Sequence, residues 1–474
     1  MDNKSNHMNR WVRILCLIAF LQPWQTNAQQ QYRLSAQQAA ELALKNATDI
    51  KNLQLDRSIQ IAKNKEYIGQ ALPQASGNIQ MQKFFNIPVT LLPDFISPAV
   101  YQVLVDKGVK DGSGNTITQP NTDPRFFPAQ FGVPWQASAG VQFQQLLFQP
   151  DLFIAIQARK KAVDFTEANI KVMEDSVKSN IYRSYYSILI AEKRKSYLDE
   201  SIKRFEKLKN DQEKLFKNGF IERLDLDKTQ VGLNNLQTNT TQIGNLIQIG
   251  YASLKFAMGI NQADTIHLTD TLSVELVKKD MLELSNFTYN DRKEIQLLNI
   301  AKELQGLDLK RNKLAYLPTF ATYFNYSRNA LRSEFSFFDF NQQWFKSSLW
   351  GINMSIPIFD GGQKLNKIRQ ANYSLQKTEN TIKNLERAID LQLNAANIIF
   401  TNALSTLDIQ ERNVLLAEKV YTSTKKKYEQ GLGSSFELSQ SEQDLETAQS
   451  NYFQSLFDAI NARISYLKAL GKLQ

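Results

Sequence analysis

The stretch that decides the fold runs from residue 349 to residue 362 and reads LWGINMSIPIFDGG. Apolar residues fall at every second position from Trp350 to Ile358, and small or polar residues stand between most of them. Alternation of this kind predicts a β-strand with one apolar and one polar face. The turn at 360–362 then leads into a long helical sequence, because glycine tolerates backbone angles that other residues avoid.

Three further stretches show the same two-residue period. They are residues 75–82, 136–144 and 320–327. The four predicted strands are roughly 10 to 13 residues long, which is enough for a tilted strand that crosses a bilayer. A soluble sheet with one face exposed to water shows the same pattern. Alternation alone therefore does not distinguish a membrane barrel from a soluble sheet.

The same order of signals occurs twice along the chain, which indicates an internal duplication. The landmark pairs are Leu72-Pro73 with Leu317-Pro318, Gly219 with Gly431, and Gly259 with Gly471. We therefore interpret residues 29–260 as a first structural repeat and residues 288–474 as a second. Residues 261–287 are interpreted as an equatorial linker of irregular structure.

Apolar residues outside the strands recur at spacings of three and four, which predicts amphipathic helices. The predicted helices are 35–71, 151–216, 222–259, 289–316, 363–428 and 437–471. The two longest would each extend about 100 Å at 1.5 Å per residue, and the shorter ones can stack in pairs to match them. The sequence thus predicts one tall helical layer.

Residues 83–134 are the main difference between the two copies. Seven of the twelve prolines lie in this stretch. Because proline disrupts regular strands, we expect a long loop that joins two strands on the outer side of the membrane. The loop either narrows the mouth of a channel or is an ordinary surface loop, and its length leaves both open.

Residues 1–28 have the pattern of a signal peptide. Lys4, Arg10 and Arg13 precede a short apolar run, and we place cleavage after Ala28. The one cysteine, Cys16, lies in this segment, so disulfides, cysteine-based zinc sites and thiol nucleophiles are excluded from the mature chain.

The composition offers few residues for chemistry. His267 is the one histidine after residue 28, and we expect it to be structural or solvated. We predict no catalytic residues, no metal, no cofactor and no enzymatic activity. The net charge is +9, but the lysines are scattered among Glu and Asp in the helices, which favours solvated helix faces over a nucleic-acid partner.

Four strands are too few to close a membrane barrel, and open strand edges are not tolerated in lipid. The chain must therefore oligomerise if it spans a bilayer. Two copies give eight strands, a barrel filled by its own side chains, whereas three copies give twelve and allow a lumen.

The duplicated Leu-Pro, the Pro-Ile-Phe-Asp-Gly-Gly stretch at 357–362 and the glycine turns with their Leu-rich continuations resemble the TolC-type outer-membrane efflux factors over essentially the whole mature chain. The resemblance implies an α+β membrane protein with four transmembrane β-strands per chain, a shared trimeric 12-stranded barrel and a long periplasmic α-helical barrel. It also implies a location in the outer membrane of a Gram-negative cell, with docking to a periplasmic membrane-fusion adaptor and an inner-membrane transporter.

The resemblance also assigns roles to residues at the far ends of the helical hairpins. The expected adaptor contacts are Gly219, Phe220, Ile221, Gly431, Leu432 and Gly433. The expected gate residues, whose polar contacts keep the tip shut, are Arg223, Asp225, Tyr428 and Glu437. The chain departs from better-known members at Gly433 and Gln440, where they have a basic and an acidic residue.

Three alternatives differ from a passive efflux duct. The first is the outer-membrane duct of type I protein secretion, which needs a similar channel with another partner. The second is a periplasmic coiled-coil scaffold without a barrel. An enzyme is the weakest alternative, because acids without His or Cys support only carboxylate-pair chemistry and nothing in the sequence brings two acids together.

Overall fold

The structure is a computed structural model that describes residues 30–119, 126–272, 277, 287–339 and 341–473. The predicted signal peptide lies outside the described residues. The helices and strands are, in chain order, β1 (Gln31–Leu34), α1 (Ala36–Asn46), α2 (Thr48–Ala71), β2 (Gln74–Lys83), β3 (Val89–Pro93), α3 (Ile96–Asp106), β4 (Phe126–Gln130), β5 (Trp135–Phe148), α4 (Pro150–Lys217), α5 (Arg223–Met258), β6 (Thr265–Leu268), α6 (Lys293–Leu314), β7 (Thr319–Arg332), β8 (Phe345–Ser355), α7 (Gln363–Glu429) and α8 (Ser435–Ala469).

The chain divides into two compact units. One comprises Met1–Gln60, Lys161–Glu303 and Gln376–Gln474, and the other comprises Ile61–Lys160 and Leu304–Leu375. Each unit draws on both halves of the chain, so the units do not coincide with the two predicted repeats. In both halves, however, helix, two long strands and two helices follow one another, and the duplication stays a prediction.

The second unit contains a four-stranded antiparallel sheet in the order β2-β5-β7-β8. Its register aligns Phe143 with Phe324 and Phe324 with Trp350. The neighbouring positions align Gln144 with Tyr323. The apolar positions predicted on separate strands therefore share one face, and the polar positions share the other, because side chains alternate along a strand.

The two outer strands of this sheet leave open edges. Within the described part of the chain, β2 pairs only with β5 and β8 pairs only with β7. The apolar face is also uncovered: Trp350 is 66% exposed, and Ile79, Val141, Phe143 and Ile352 are exposed as well. A single chain thus presents the two features that natural sheets normally hide.

One predicted strand is shorter than its alternation suggests. The apolar period continues to Ile358, yet β8 ends at Ser355, which pairs with Thr319 at the start of β7. Pro318 lies just before β7, so the partner strand of β8 begins only at Thr319. Pro357, just after β8, has no N–H to donate to a hydrogen-bond ladder between strands. Hydrophobic alternation alone cannot reveal where the partner strand begins.

The predicted helices are present with shifts of a few residues at their ends. The two longest, α4 and α7, have 68 and 67 residues, which corresponds to about 100 Å each. The predicted helix over 35–71 is instead two helices that break at Ala47, whose backbone is extended. Along the described chain, no helix combines the length and the apolar character needed to cross a membrane.

The expectation that residues 83–134 lack regular structure is wrong for the described part of this stretch. It contains α3 and a two-stranded antiparallel sheet of β3 and β4. Pro93 ends β3, and Pro98 lies in the first turn of α3, where a missing N–H costs no helical hydrogen bond. Pro128 lies in a sheet of two strands, where each strand has a free edge.

The expectation of an irregular linker at 261–287 is also wrong in part. Residues 265–268 form β6, which pairs in parallel with β1. The buried Tyr185 of α4 joins this pair to the helices: its hydroxyl donates to the Leu34 carbonyl at 2.9 Å and accepts the Thr269 N–H at 3.1 Å. His267 lies in β6 and is exposed, as expected for a solvated residue.

Candidate functional site

The two predicted tips are helix ends of the same construction. Gly219 after α4 and Gly431 after α7 have positive φ angles of 77° and 73°. The next N–H in each tip, of Phe220 or Leu432, donates at 2.9 Å to a carbonyl five residues earlier. This is the Schellman arrangement, which satisfies the last helical carbonyls and requires a left-handed residue that glycine provides.

At each tip one apolar side chain is exposed to solvent. Phe220 is 76% exposed and Leu432 is 78% exposed. Of the other expected adaptor contacts, Ile221 and Gly433 are half-buried. A Cβ at Gly433 would lie 3.3 Å from the Tyr428 nitrogen, so the chain has little room there for the basic residue of better-known members.

The four expected gate residues are only partly brought together. In the described part of the chain, Arg223 forms its ion pair with Asp227, at 3.7 Å and in solvent, rather than with another gate residue. Such an exposed pair within one helix contributes little to stability. The Glu437 N–H donates to the Ser434 hydroxyl at 3.1 Å, which caps the start of α8.

Asp225 does influence Tyr428. Burial raises the pKa of Tyr428, and the negative charges of Asp211 and Asp225 raise it further. The enclosed Tyr428 hydroxyl has no hydrogen-bond partner among the residues that the structure describes. A buried hydroxyl normally has a partner, so this group is a candidate for a contact beyond the single chain.

A buried ion pair that the sequence analysis missed lies beside Tyr428. Arg204 of α4 donates from Nε to Glu442 Oε1 of α8 at 2.7 Å, and the Glu442 side chain is only 3% exposed. A second donation at 2.6 Å joins Arg204 to the Ser201 hydroxyl. The pair therefore connects α4 to α8, which belong to different helical hairpins.

Tyr421 of α7 completes this cluster. The Arg204 guanidinium lies 5.7 Å from the centre of its ring, which is within cation–π range. Burial raises the pKa of Tyr421 to about 12, and the nearby Glu442 carboxylate adds to the shift. Burial also raises the pKa of Glu442, although Arg204 opposes that shift.

The cluster encloses a small cavity of about 80 Å³. Its lining residues are Arg204, Phe205, Lys207, Leu208, Asp211, Tyr421, Lys425, Tyr428, Glu429, Leu438 and Glu442. Helices α4, α7 and α8 all contribute. The sequence did contain a signal for this cluster, because Glu442 stands on the apolar stripe between Leu438 and Leu445.

A wider groove of about 710 Å³ runs between α5 and α8. Leu224, Val231 and Phe436 are exposed along it, and the Lys228 ammonium lies 5.1 Å from the centre of the Phe436 ring. The groove thus combines apolar side chains with scattered polar groups. In the described residues, no group of three or more His, Cys, Asp or Glu is arranged to hold a metal ion.

Comparisons with known proteins agree with this architecture. A family model described as outer membrane efflux protein matches residues 306–472. The CmeC outer membrane channel of Campylobacter jejuni is 13% identical and has a TM-score of 0.68, over 92% of this chain and 85% of that chain. The open state of the MtrE outer membrane channel of Neisseria gonorrhoeae is 12% identical and has a TM-score of 0.69, over 93% and 89%.

One curated relative also matches. The alkaline protease secretion protein AprF of Pseudomonas aeruginosa is 23% identical over 169 residues, which are 36% of this chain and 34% of the relative. The alignment thus spans about a third of that protein.

The long helical hairpins and the open four-stranded sheet have the same fold as the subunits of these two outer-membrane channels. Residues 306–472, about a third of the chain, match the model of the outer membrane efflux protein family. The predicted resemblance and the predicted fold class are thereby confirmed. The matched family consists of efflux proteins, which agrees with the prediction that the chain is not an enzyme.

Proposed function

We propose that three copies of this chain form a passive export duct through the outer membrane, as the channel component of a tripartite efflux system. The observation that carries the proposal is the sheet with two open edges and an uncovered apolar face. In lipid each edge needs another strand, and a copy of the same sheet supplies it. Three four-stranded sheets give twelve strands and a lumen, whereas two give a filled barrel.

The polar face of the sheet suits a water-filled lumen. It carries Gln142, Gln144, Asn325 and Tyr323, whereas the opposite face carries aromatic and aliphatic side chains. Outer-membrane barrels alternate in this sense, apolar towards lipid and polar towards the channel. The duct needs no bound cofactor and no bond chemistry, and a partner supplies the energy.

The helical tips are the proposed docking site for a periplasmic adaptor, which in turn joins an inner-membrane transporter. Phe220 and Leu432 support this proposal, because two exposed apolar side chains at matching turns are costly unless a partner covers them. The groove between α5 and α8, with Leu224 and Val231, extends the same surface. An apolar helix pair fits such a groove.

The adaptor proposal is tested by binding of the purified channel to a membrane-fusion adaptor from the same cell. We expect Phe220→Ser with Leu432→Ser to weaken binding strongly. The matched control is Phe256→Ser, because Phe256 is equally exposed on α5 but lies at the other end of that helix. Equal binding by the tip variant and the control would show that the tip is not part of the interface with the adaptor.

We propose further that Asp225, Glu437, Tyr428 and Arg223 take part in keeping the tip narrow. The charge of Asp225 near Tyr428 and the unpartnered Tyr428 hydroxyl support this. The test is single-channel conductance in planar bilayers. Asp225→Asn with Glu437→Gln is expected to raise conductance, and unchanged conductance would exclude these acids from the gate.

The duct itself is tested by the same recordings together with gel mobility. A barrel shared by three chains should give a heat-sensitive oligomer band and discrete conductance steps. A periplasmic scaffold without a barrel would give neither, and its cell fraction would be soluble.

A type I secretion duct is the second candidate function, and the likeness to AprF favours it. The channel is similar in both cases, so the difference lies in the partner. Co-purification with an export ATPase rather than with a proton-driven transporter would select secretion over small-molecule efflux.

A further inference from the structure

Helix α3, in the loop between β2 and β5, has an apolar face that is largely exposed among the residues that the structure describes. Ile96, Ala99, Val100, Val103 and Leu104 follow one another at spacings of three and four, so they form one stripe. Val103 is 58% exposed, and Ile96 and Val100 are exposed to a similar extent. The same five residues and Phe95 line a shallow apolar depression.

One flank of the stripe is polar. Gln102 and Asp106 lie there, and the Gln102 amide donates to the Asp106 carboxylate at 3.0 Å. No charged residue occurs from Phe95 to Val105. An uncharged apolar stripe beside a polar flank suits a helix that lies in the plane of a membrane surface.

The loop that carries α3 leaves the sheet at the end away from helices α2 and α4. β2 begins after helix α2, and β5 ends before helix α4, so the loop joins the opposite ends of these strands. At its base the Phe84 N–H donates to the Pro134 carbonyl at 2.7 Å, which ties the two ends of the loop to the end of the sheet. The helix is therefore tethered where the apolar sheet face ends.

Aromatic residues mark the same end of the sheet. Trp135 contacts Phe335, with ring centres 5.0 Å apart, and Trp344 packs with Phe337. The Lys83 ammonium lies 5.2 Å from the centre of the Trp135 ring. Tryptophan is enriched where membrane meets water, so this cluster indicates the level of the lipid headgroups.

Charge at the end of α3 also suits a headgroup layer. Lys107 and Lys110 follow the helix directly. The acids nearby are engaged within the loop: Asp94 accepts the Ser97 N–H at 2.9 Å, and Asp111 accepts the N–H groups of Ser113 and Asn115 at 2.9 Å. Lysines beside an apolar face can pair with lipid phosphates while their stems stay in the apolar layer.

We propose that α3 lies on the outer leaflet with its stripe inserted at the boundary between headgroups and acyl chains. This rests on the proposed function, since it requires the sheet to span the membrane. A second copy of the chain is a weaker occupant. Five side chains, one of them alanine, cover far less than the about 800 Å² per partner of a stable protein interface.

The test uses nitroxide labels on single cysteines in the full-length channel, reconstituted in vesicles of phosphatidylethanolamine and phosphatidylglycerol. The one cysteine of the sequence, Cys16, lies in the predicted signal peptide, so the processed channel has no competing thiol, and Cys16→Ser removes it from any unprocessed chain. Labels at Val100→Cys and Val103→Cys report on the stripe, and Gln102→Cys is the matched control on the polar flank. Oxygen collisions detect lipid, and a water-soluble nickel chelate detects solvent.

We expect oxygen collisions to exceed nickel collisions at 100 and 103, and the reverse at 102. Higher nickel collisions at all three positions would place α3 in water, and low collisions with both reagents at 100 and 103 would place it against protein. Either result overturns the proposal. Conductance of the same labelled channels is the separate readout of the proposed function, and it is expected to be unchanged.

Discussion

Arg204 and Glu442 form an ion pair, 2.7 Å from Nε to Oε1, that joins α4 to α8 in a largely buried position. The two residues are not equally enclosed, because the Arg204 side chain is 27% exposed and that of Glu442 is 3% exposed. The carboxylate has therefore lost most of its water and depends on the guanidinium. This asymmetry determines what each substitution does.

Removing Arg204 should be strongly destabilising. Arg204→Met leaves an unpaired buried carboxylate, and breaking a buried pair in this way costs about 3 kcal/mol. Arg204→Met with Glu442→Met should recover most of the loss, since two apolar side chains replace the whole pair. Thermal unfolding followed by circular dichroism measures both. Equal losses in the single and the double variant would mean that the pair has no special role.

Glu442 should make the stability of the folded chain depend on pH. Burial raises its pKa in the folded chain above the ordinary value of 4.5, so the folded state binds more protons than the unfolded state. The resulting contribution of Glu442 to the stability of the fold is fully present below pH 4.5, and it is lost as the pH rises through the raised pKa. The melting temperature of the wild type relative to Glu442→Gln should therefore fall with rising pH. A difference that stays constant or increases would contradict the assigned direction.

Gly140 of β5 should be irreplaceable, although it lies in a strand without a positive φ. A Cβ at this position would lie 2.6 Å from the Tyr326 carbonyl oxygen, which belongs to the backbone of β7. Gly140→Ala should cost about 1–3 kcal/mol and reduce the yield of heat-sensitive oligomer. Gly77 of β2 is the matched control, since its nearest neighbour is 4.0 Å away. Equal yields for the two alanine variants would refute the argument.

Gly259 and Gly244 provide a second matched pair, this time in α5. Gly259 ends the helix with a φ of 65°, and a Cβ there would lie 2.6 Å from the Asn46 carbonyl oxygen. Gly259→Ala should therefore lower the melting temperature. Gly244 lies within the helix with nothing within 4 Å, so Gly244→Ala should be neutral or stabilising by about 0.5–1 kcal/mol. Shifts of the same sign would show that the backbone contact at Asn46 is unimportant.

Much of the fold could be predicted because its signals are long and periodic. The two-residue period assigned the apolar row of Phe143, Phe324 and Trp350 to one face, and the register agrees. The short elements could not be predicted. β1 and β6 have four residues each, too few to show a period, and their pairing crosses more than 200 positions of sequence.

The site was less predictable than the fold. The glycine turns follow from local backbone chemistry, so Gly219 and Gly431 were found from sequence. The partners of Arg204 and Tyr428 depend on how three helices pack, and sequence spacing within one helix does not contain that information. Arg223 illustrates the same limit, since its ion pair is with Asp227 of its own helix.

The central claim is that one chain supplies a third of a closed membrane barrel. Light scattering of the purified channel in detergent, corrected for the detergent mass, counts the chains in each particle. The account predicts three chains per particle and no soluble form in the absence of detergent. A particle of one chain that stays in solution without detergent would contradict it.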